Sequence, residues 1–191
     1  MKIITAPHPA LRVITPEIKK ITAELKKFIK KLKITLDIAE KPKGVGLAAT
    51  QVASNLRVFV ARPDLGSAIK VFINPKIINQ SPDKILGNTK EDKKARNEGC
   101  LSVPKLWGPV YRYSFLELEY QDIENGKLVT KKEKFEDFFA RVIQHELDHL
   151  NGILFIQRIL EQDLPVFIEG EEKKLEEVEN KELLKIKYLN E

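Results

Sequence analysis

The clearest chemical signal in the chain is a pair of histidines four residues apart, in His145-Glu146-Leu147-Asp148-His149. On a helix this spacing puts both imidazoles on one face about one turn apart, where they can clamp a single divalent ion. Glu146 then points beside the ion, placed to serve as a general base. The same spacing also suits two hydrogen-bonded core histidines, so the pattern implies catalysis only if a third ligand exists elsewhere. A catalytic centre of the zinc type takes three protein ligands and leaves its fourth position to water.

Three places could supply that ligand. Gly152 follows the motif as in metzincins, but the position that would hold their third histidine is Phe155, which excludes that pattern. Glu169 lies downstream near the distance at which thermolysin-like peptidases carry a ligating glutamate. Cys100, the sole cysteine, sits in Glu98-Gly99-Cys100-Leu101-Ser102. There Gly99 allows close backbone approach, and a thiolate would bind a soft or borderline ion strongly. A lone cysteine is more often simply buried. With no partner in the chain it forms no intrachain disulfide, which suits a reducing compartment.

A glycine-rich segment, Gly44-Val45-Gly46-Leu47-Ala48-Ala49-Thr50-Gln51, satisfies a loose dinucleotide fingerprint. That fingerprint must follow a strand, whereas Asp37 to Lys43 is charged, contains Pro42 and follows a helix. Gly44 and Gly46 are better explained by close backbone packing that presents Gln51.

These residues need elements to hold them. Asp137 can cap a helix running to about Leu150, with Asn151-Gly152 as its left-handed stop. Phe138, Phe139, Val142, Ile143, Leu147 and Leu150 make that helix apolar on most sides, the mark of a buried one. Burying His145, Glu146, Asp148 and His149 with it costs several kcal/mol unless they are partnered. Arg141 and Asp148 suit either groups that orient a ligand or an ion pair within the core.

Thr15-Pro16 predicts the start of another helix. Ile18, Ile21, Leu25, Phe28, Ile29, Leu32 and Leu36 follow at helical spacing, and the helix should end before Pro42. Arg57–Val60 and Val71–Ile73 read as strands, broken by Pro63, Gly66 and Pro75. Ser81 to Asn97 reads as a charged loop. Alternating stretches from Ser114 to Tyr120 and from Lys127 flank Asn125-Gly126, a strong hairpin signal, so an antiparallel sheet is expected. His8, without a partner at ligand spacing, is expected in a loop and tolerant of substitution.

At 191 residues and 42% hydrophobic content the chain can bury one good core. No run has the roughly 18 apolar residues of a membrane helix, and the segment after Met1 lacks the pattern of a cleaved signal, so a cytoplasmic protein without membrane contact is expected. The net charge is +5, explained by a lysine-rich solvated surface better than by sequence-specific nucleic-acid binding, which is not expected. Residues 161–191 carry 5 basic and 10 acidic side chains, a net −5, which leaves +10 on residues 1–160. The division expected is a catalytic body over 1–160 and a charged, acidic, helical tail over 161–191.

The glycine-rich segment ending in Gln51, the segment Glu98 to Ser102, and Gln144-His145-Glu146-Leu147-Asp148-His149, in that order, closely resemble the three motifs of peptide deformylases. The resemblance extends to Pro7-His8-Pro9-Ala10-Leu11-Arg12, Asn74-Pro75 and Ala140-Arg141-Val142, covering roughly residues 1–160. It implies a metalloenzyme of protein biosynthesis, a hydrolase that removes the N-formyl group from the N-terminal methionine of new polypeptides and releases formate.

Position by position, the resemblance implies that Cys100, His145 and His149 bind the metal, that Glu146 is the catalytic acid and base, and that Gln51 and the backbone N–H of Leu101 hold the oxyanion. Gly44, Gly46, Glu98 and Gly99 are assigned to packing and substrate binding. Fe²⁺ is the metal implied, with Zn²⁺ or Ni²⁺ also suited to these ligands. The partners implied are N-formyl-methionyl nascent peptides, with transient ribosome association, although a tail of net −5 argues against docking through the tail. The fold implied is α+β, with antiparallel β-sheets wrapped around a buried central helix that carries the two histidines. Departures from the family are Thr50 for proline, Phe138 for a small residue and Gln157 for aspartate. None of these touches a proposed ligand, while the unusual segment Leu106-Trp107-Gly108-Pro109 and the 81–97 loop bear on pocket shape and substrate preference more than on the chemistry.

Overall fold

A computed structural model describes residues 1–40, 43–89, 95–170 and 174–189. The first helix, α1 (Ala23–Asp37), begins where the Thr22 hydroxyl accepts the Leu25 N–H at 3.1 Å. This corrects the expected start at Thr15. The Thr15 N–H and hydroxyl both donate to the Leu150 carbonyl, and the Asn74 side chain takes both backbone groups of Ile18. Long-range bonds thus hold that segment out of a helix. Leu25, Ile29, Leu32 and Leu36 form the buried stripe of α1, which stops at Asp37. Pro42, its expected limit, lies outside the described residues.

Strands β1 (Gly46–Ala48), β2 (Val58–Ala61) and β3 (Lys70–Gln80) follow, with a 3₁₀ turn at Ala49–Val52 between the first two. All four residues of β2 are buried, as a strand covered on both faces requires. β3 runs straight through Pro75, where a break was expected. A bulge between Ile73 and Lys76, with Asn74 at φ +51°, takes up the missing N–H.

The segment expected to be a loop contains β4 (Lys84–Ile85) and leads into β5 (Asn97–Cys100); residues 90–94 within it lie outside the described residues. Then come β6 (Val103–Pro109), β7 (Arg112–Tyr113), β8 (Phe115–Glu124) and β9 (Lys127–Glu136). The turn between β8 and β9 is the two-residue one anticipated, with Asn125 at φ +49° and Gly126 at φ +79°. One antiparallel sheet has the order β1-β2-β3-β8-β9, while β4 pairs with β7.

Helix α2 (Asp137–Leu150) departs from expectation at its start. Asp137 is itself inside the helix at φ +54°, its N–H donates to the Ser114 carbonyl, and no side chain caps the helix. The stop is as expected: Gly152 has φ +73°, and a Cβ there would meet the Arg12 carbonyl oxygen at 2.6 Å. Ten of the fourteen residues of α2 are buried, which sets it against the core rather than at the surface. Ala140, Val142, Ile143, Leu147 and Leu150 pack with Phe59, Phe72, Leu116, Leu118 and Phe135 of the sheet.

Beyond α3 (Phe155–Glu161), the segment expected to be helical forms β10 (Phe167–Glu169) and β11 (Leu175–Glu177), then a short helical turn, Glu182–Leu184, continued by a π turn, Lys185–Leu189. β10 pairs with β6, giving a second antiparallel sheet in the order β11-β10-β6-β5. Val166, Leu184 and Leu189 share a core with Leu11, Cys100, Leu106 and Phe155, so this segment packs on the body of the protein. Residues 171–173 and 190–191 of the tail lie outside the described residues. The chain thus combines helices with antiparallel sheets.

Candidate metal centre

β5 delivers Cys100 and α2 delivers His145 and His149 to one point. One donor atom from each lies within 4.8 Å of the others, and no other such cluster of three occurs among the described residues. The Cys100 Sγ stands 3.2 Å from His149 Nε2 and accepts the Ser102 backbone N–H at 3.4 Å. Burial by itself would raise the thiol, but the charge of His149 and hydrogen bonds from His145 and His149 outweigh it and bring Cys100 down to about 5. A ready thiolate with two imidazoles is a donor set that fits a borderline divalent ion.

Glu146 is buried, with one carboxylate oxygen left without a hydrogen-bond partner. Burial pushes its carboxyl up to about 7. An orphaned carboxylate oxygen beside three converging donors suits a group that takes and returns a proton.

Behind the imidazoles lies a buried ionic network. Glu98 sits 3.1 Å from His145 Nδ1, leaving Nε2 of that ring for the centre, and it accepts from Arg112 at 2.9 and 3.0 Å and from Arg141 at 2.9 Å. Arg112 also donates to Asp148, which Arg158 pairs at 2.8 Å. Burial opposes ionisation throughout, yet Arg112 and His145 hold the Glu98 carboxyl well below the usual range and Arg112 and Arg158 depress that of Asp148; in return Glu98 and Asp148 lift the Arg112 guanidinium, and Cys100 and Glu98 lift the His145 imidazole. Arg141 and Asp148 thus stand in ion pairs within the core, Arg141 on the same Glu98 that meets His145 and Asp148 on the same Arg112 that holds Glu98.

The glycine-rich segment meets this site from the opposite side. A Cβ on Gly46 would fall onto the Glu146 carboxylate, and one on Gly44 would meet Leu36 at 2.6 Å. Gln51 is fixed by accepting the Ala48 N–H at 2.9 Å, and its amide donates to Ser102 Oγ at 3.2 Å and toward Cys100 Sγ at 3.6 Å. Gly46, Gln51, Gly99, Leu101, Val142 and Glu146 all line one cleft of about 300 Å³. A larger hollow of about 450 Å³ lies against Gln144 and Leu147 on the other face of α2 and holds none of the three donors. Glu169 does not join the centre: its carboxylate accepts the Trp107 indole N–H at 3.1 Å, which removes the thermolysin-like alternative.

The sequence pattern described as polypeptide deformylase matches residues 1–164. The chain belongs to the polypeptide deformylase family. Its members are hydrolases that remove the N-formyl group from nascent polypeptides, with metal dependence a general property of the family.

A peptide deformylase of Desulfotalea psychrophila is 40% identical over 166 residues, covering 83% of this chain and 87% of that one. One from Borreliella burgdorferi is 39% identical over 156 residues, covering 82% and 86%. Among solved structures, the deformylase of Thermotoga maritima has a TM-score of 0.68 at 34% identity, over 82% of this chain and 95% of that one. The Synechococcus elongatus deformylase, in complex with actinonin, has a TM-score of 0.69 at 31% identity, over 90% and 82%.

Within this deformylase scaffold, sequence reasoning missed Arg112. It is a buried arginine among strand residues, and no short spacing ties it to Glu98 or Asp148; its one sequence signal is a charge where burial is expected. Trp107 was noted only as unusual, yet it lines the cleft. His8 is exposed as expected, with its ring accepting the Ala10 N–H at 3.2 Å.

Proposed function

We propose that this deformylase-family chain removes the formyl group from N-formyl-methionyl peptides through the centre formed by Cys100, His145 and His149. These three would hold one divalent ion, Fe²⁺ by family resemblance, with Zn²⁺ and Ni²⁺ also suited to the donors. When bound, such an ion supplies Lewis-acid chemistry and makes water acidic enough to attack near neutral pH.

The chain's own residues do the rest. Glu146 takes a proton from the attacking water and returns it to the leaving amine, a general acid-base role worth about 10² to 10⁴ in rate. The Gln51 amide and the Leu101 N–H donate to the formyl oxygen as it gains charge, and a donor of this kind is worth about 10² to 10³. Gly46 lets the glycine-rich segment close on Glu146 of α2 and Gly44 lets it pack on Leu36 of α1, while Gly99 and Glu98 shape the approach to Cys100. We further infer that α2 is the central helix about which the antiparallel sheets are wrapped.

The observation that carries this reading is the orphaned Glu146 oxygen, buried beside three converging donors. The test is formate release from an N-formyl-Met peptide by anaerobically prepared, Fe²⁺-loaded protein, beside Glu146→Gln and Cys100→Ala. Release lost in both variants, with metal lost only from Cys100→Ala, supports the proposal; no release from the loaded unmodified protein overturns it.

No helix among the described residues is long and apolar enough to cross a membrane. Action on nascent peptides in the cytoplasm, with transient ribosome contact, accords with the family's substrate. Because residues 161–191 are net −5, that contact would fall on the basic body; ribosome binding that survives deletion of the tail is the expected result.

A further inference from the structure

The cleft has one wall whose position is set from outside the matched family region. Trp107 lies on β6, and a Cβ added to Gly99 on β5 would come within 2.9 Å of three atoms of its six-membered ring. Glycine at that position is therefore what lets the indole settle against the strand that carries Cys100. From the other side, Phe167 and Ile168 of β10 pair with Trp107 and Leu106, and Glu169 accepts the indole N–H at 3.1 Å. The ring is pinned between a backbone and a carboxylate. Trp107, Gly99, Leu101 and Phe138 all face the same cleft as Glu146.

We propose that Glu169 is a positioning residue for substrate selection: by holding Trp107, the C-terminal ribbon fixes the wall that meets the residue following the formylated methionine. The proposal rests on the function assigned above. The ring lies against Gly99, one residue or about 3.3 Å along β5 from Cys100, and the proposal sets beside it the peptide unit next to the reacting amide. A broad aromatic face there favours an apolar or aromatic second residue over a small or acidic one, and the Glu169 carboxylate beside the ring adds repulsion against an acidic one.

Trp107 is the only tryptophan in the chain, so its fluorescence reports this wall without relying on turnover. Metal-loaded protein, Glu169→Ala and Glu169→Gln are compared on formyl-Met-Phe, formyl-Met-Ala and formyl-Met-Asp peptides. Glu169→Ala is expected to lose about fivefold of the kcat/KM preference for Phe over Ala, the loss carried by KM with kcat nearly unchanged, and to shift the indole emission to longer wavelength. Glu169→Gln, which keeps an accepting oxygen, restores the preference for Phe and the emission. Unchanged preference and emission in Glu169→Ala overturn the positioning role alone. Absence of formate release from the unmodified protein overturns the functional reading beneath it.

Discussion

Glu98 and His145 stand 3.1 Å apart, carboxylate oxygen to Nδ1, on elements forty-seven residues distant in sequence. This contact engages Nδ1 and leaves the ring's other nitrogen for the side of Cys100 and His149. Carboxylates behind a ligating imidazole typically control metal affinity by about 10- to 100-fold. Glu98→Gln should accordingly weaken metal binding by about that factor, measured by competition with a chromogenic chelator. Affinity within twofold of the unmodified protein would count against the assignment.

Arg112 is the hub of the same network, bonded to Glu98 and Asp148 with every partner buried. Removing one member of such a group leaves uncompensated charge, at a cost of about 3 to 5 kcal/mol. Arg112→Leu should lose about that much in urea unfolding of the metal-free protein, well beyond what a surface arginine would lose.

That network also sets an acid limit. Burial would raise the Asp148 carboxyl, but Arg112 and Arg158 outweigh it and depress it in the folded state. A depressed carboxyl contributes stability that is fully present above the unfolded value, about 3.9, and is lost as pH falls through the folded value. The melting temperature of metal-free protein should therefore fall steeply below about pH 4, and fall less in Asp148→Asn, which starts lower. Parallel curves for the two proteins would refute the assignment.

Gly46 touches Glu146 so closely that no side chain fits between them. Gly46→Ala should fold and bind metal while displacing the carboxylate, with kcat reduced about 10²-fold, the scale expected for a displacement of about 1 Å. Metal content and formate release measured on one preparation separate this from loss of the centre.

Much of the site was legible because short spacings encode it. His145 and His149 share a helix face by arithmetic, and the turn at Asn125-Gly126 requires the left-handed angles that those two residues tolerate. The third candidate donor was narrowed to Cys100 or Glu169, and the structure brings Cys100 to the two histidines while Glu169 accepts from Trp107. What stayed hidden depends on contacts far apart in sequence. Thr15 and Thr22 both qualify as helix caps, and the choice falls to Thr22 because the Leu150 carbonyl engages Thr15. Residues 169–190 are rich in Glu and Lys, which favour helix when isolated. The free edge of β6 takes up Phe167 and Ile168 just before that stretch, and β10 in turn pairs Leu175–Glu177 within it as strand, a tertiary pairing that overrides propensity. Arg112 carries no local signature, since its partners lie on β5 and α2.

β10 also determines how far the second sheet can extend. It covers the side of β6 that β5 leaves open, at Leu106 and Trp107. A chain ended near residue 164, where the family match stops, would present that backbone unpaired. Exposed strand edges recruit other strands, so such a shortened protein would tend to associate edge to edge with its own copies. The last segment therefore replaces the β6 edge with that of β11, three residues long and carrying Glu176 and Glu177, a short charged edge that discourages such pairing.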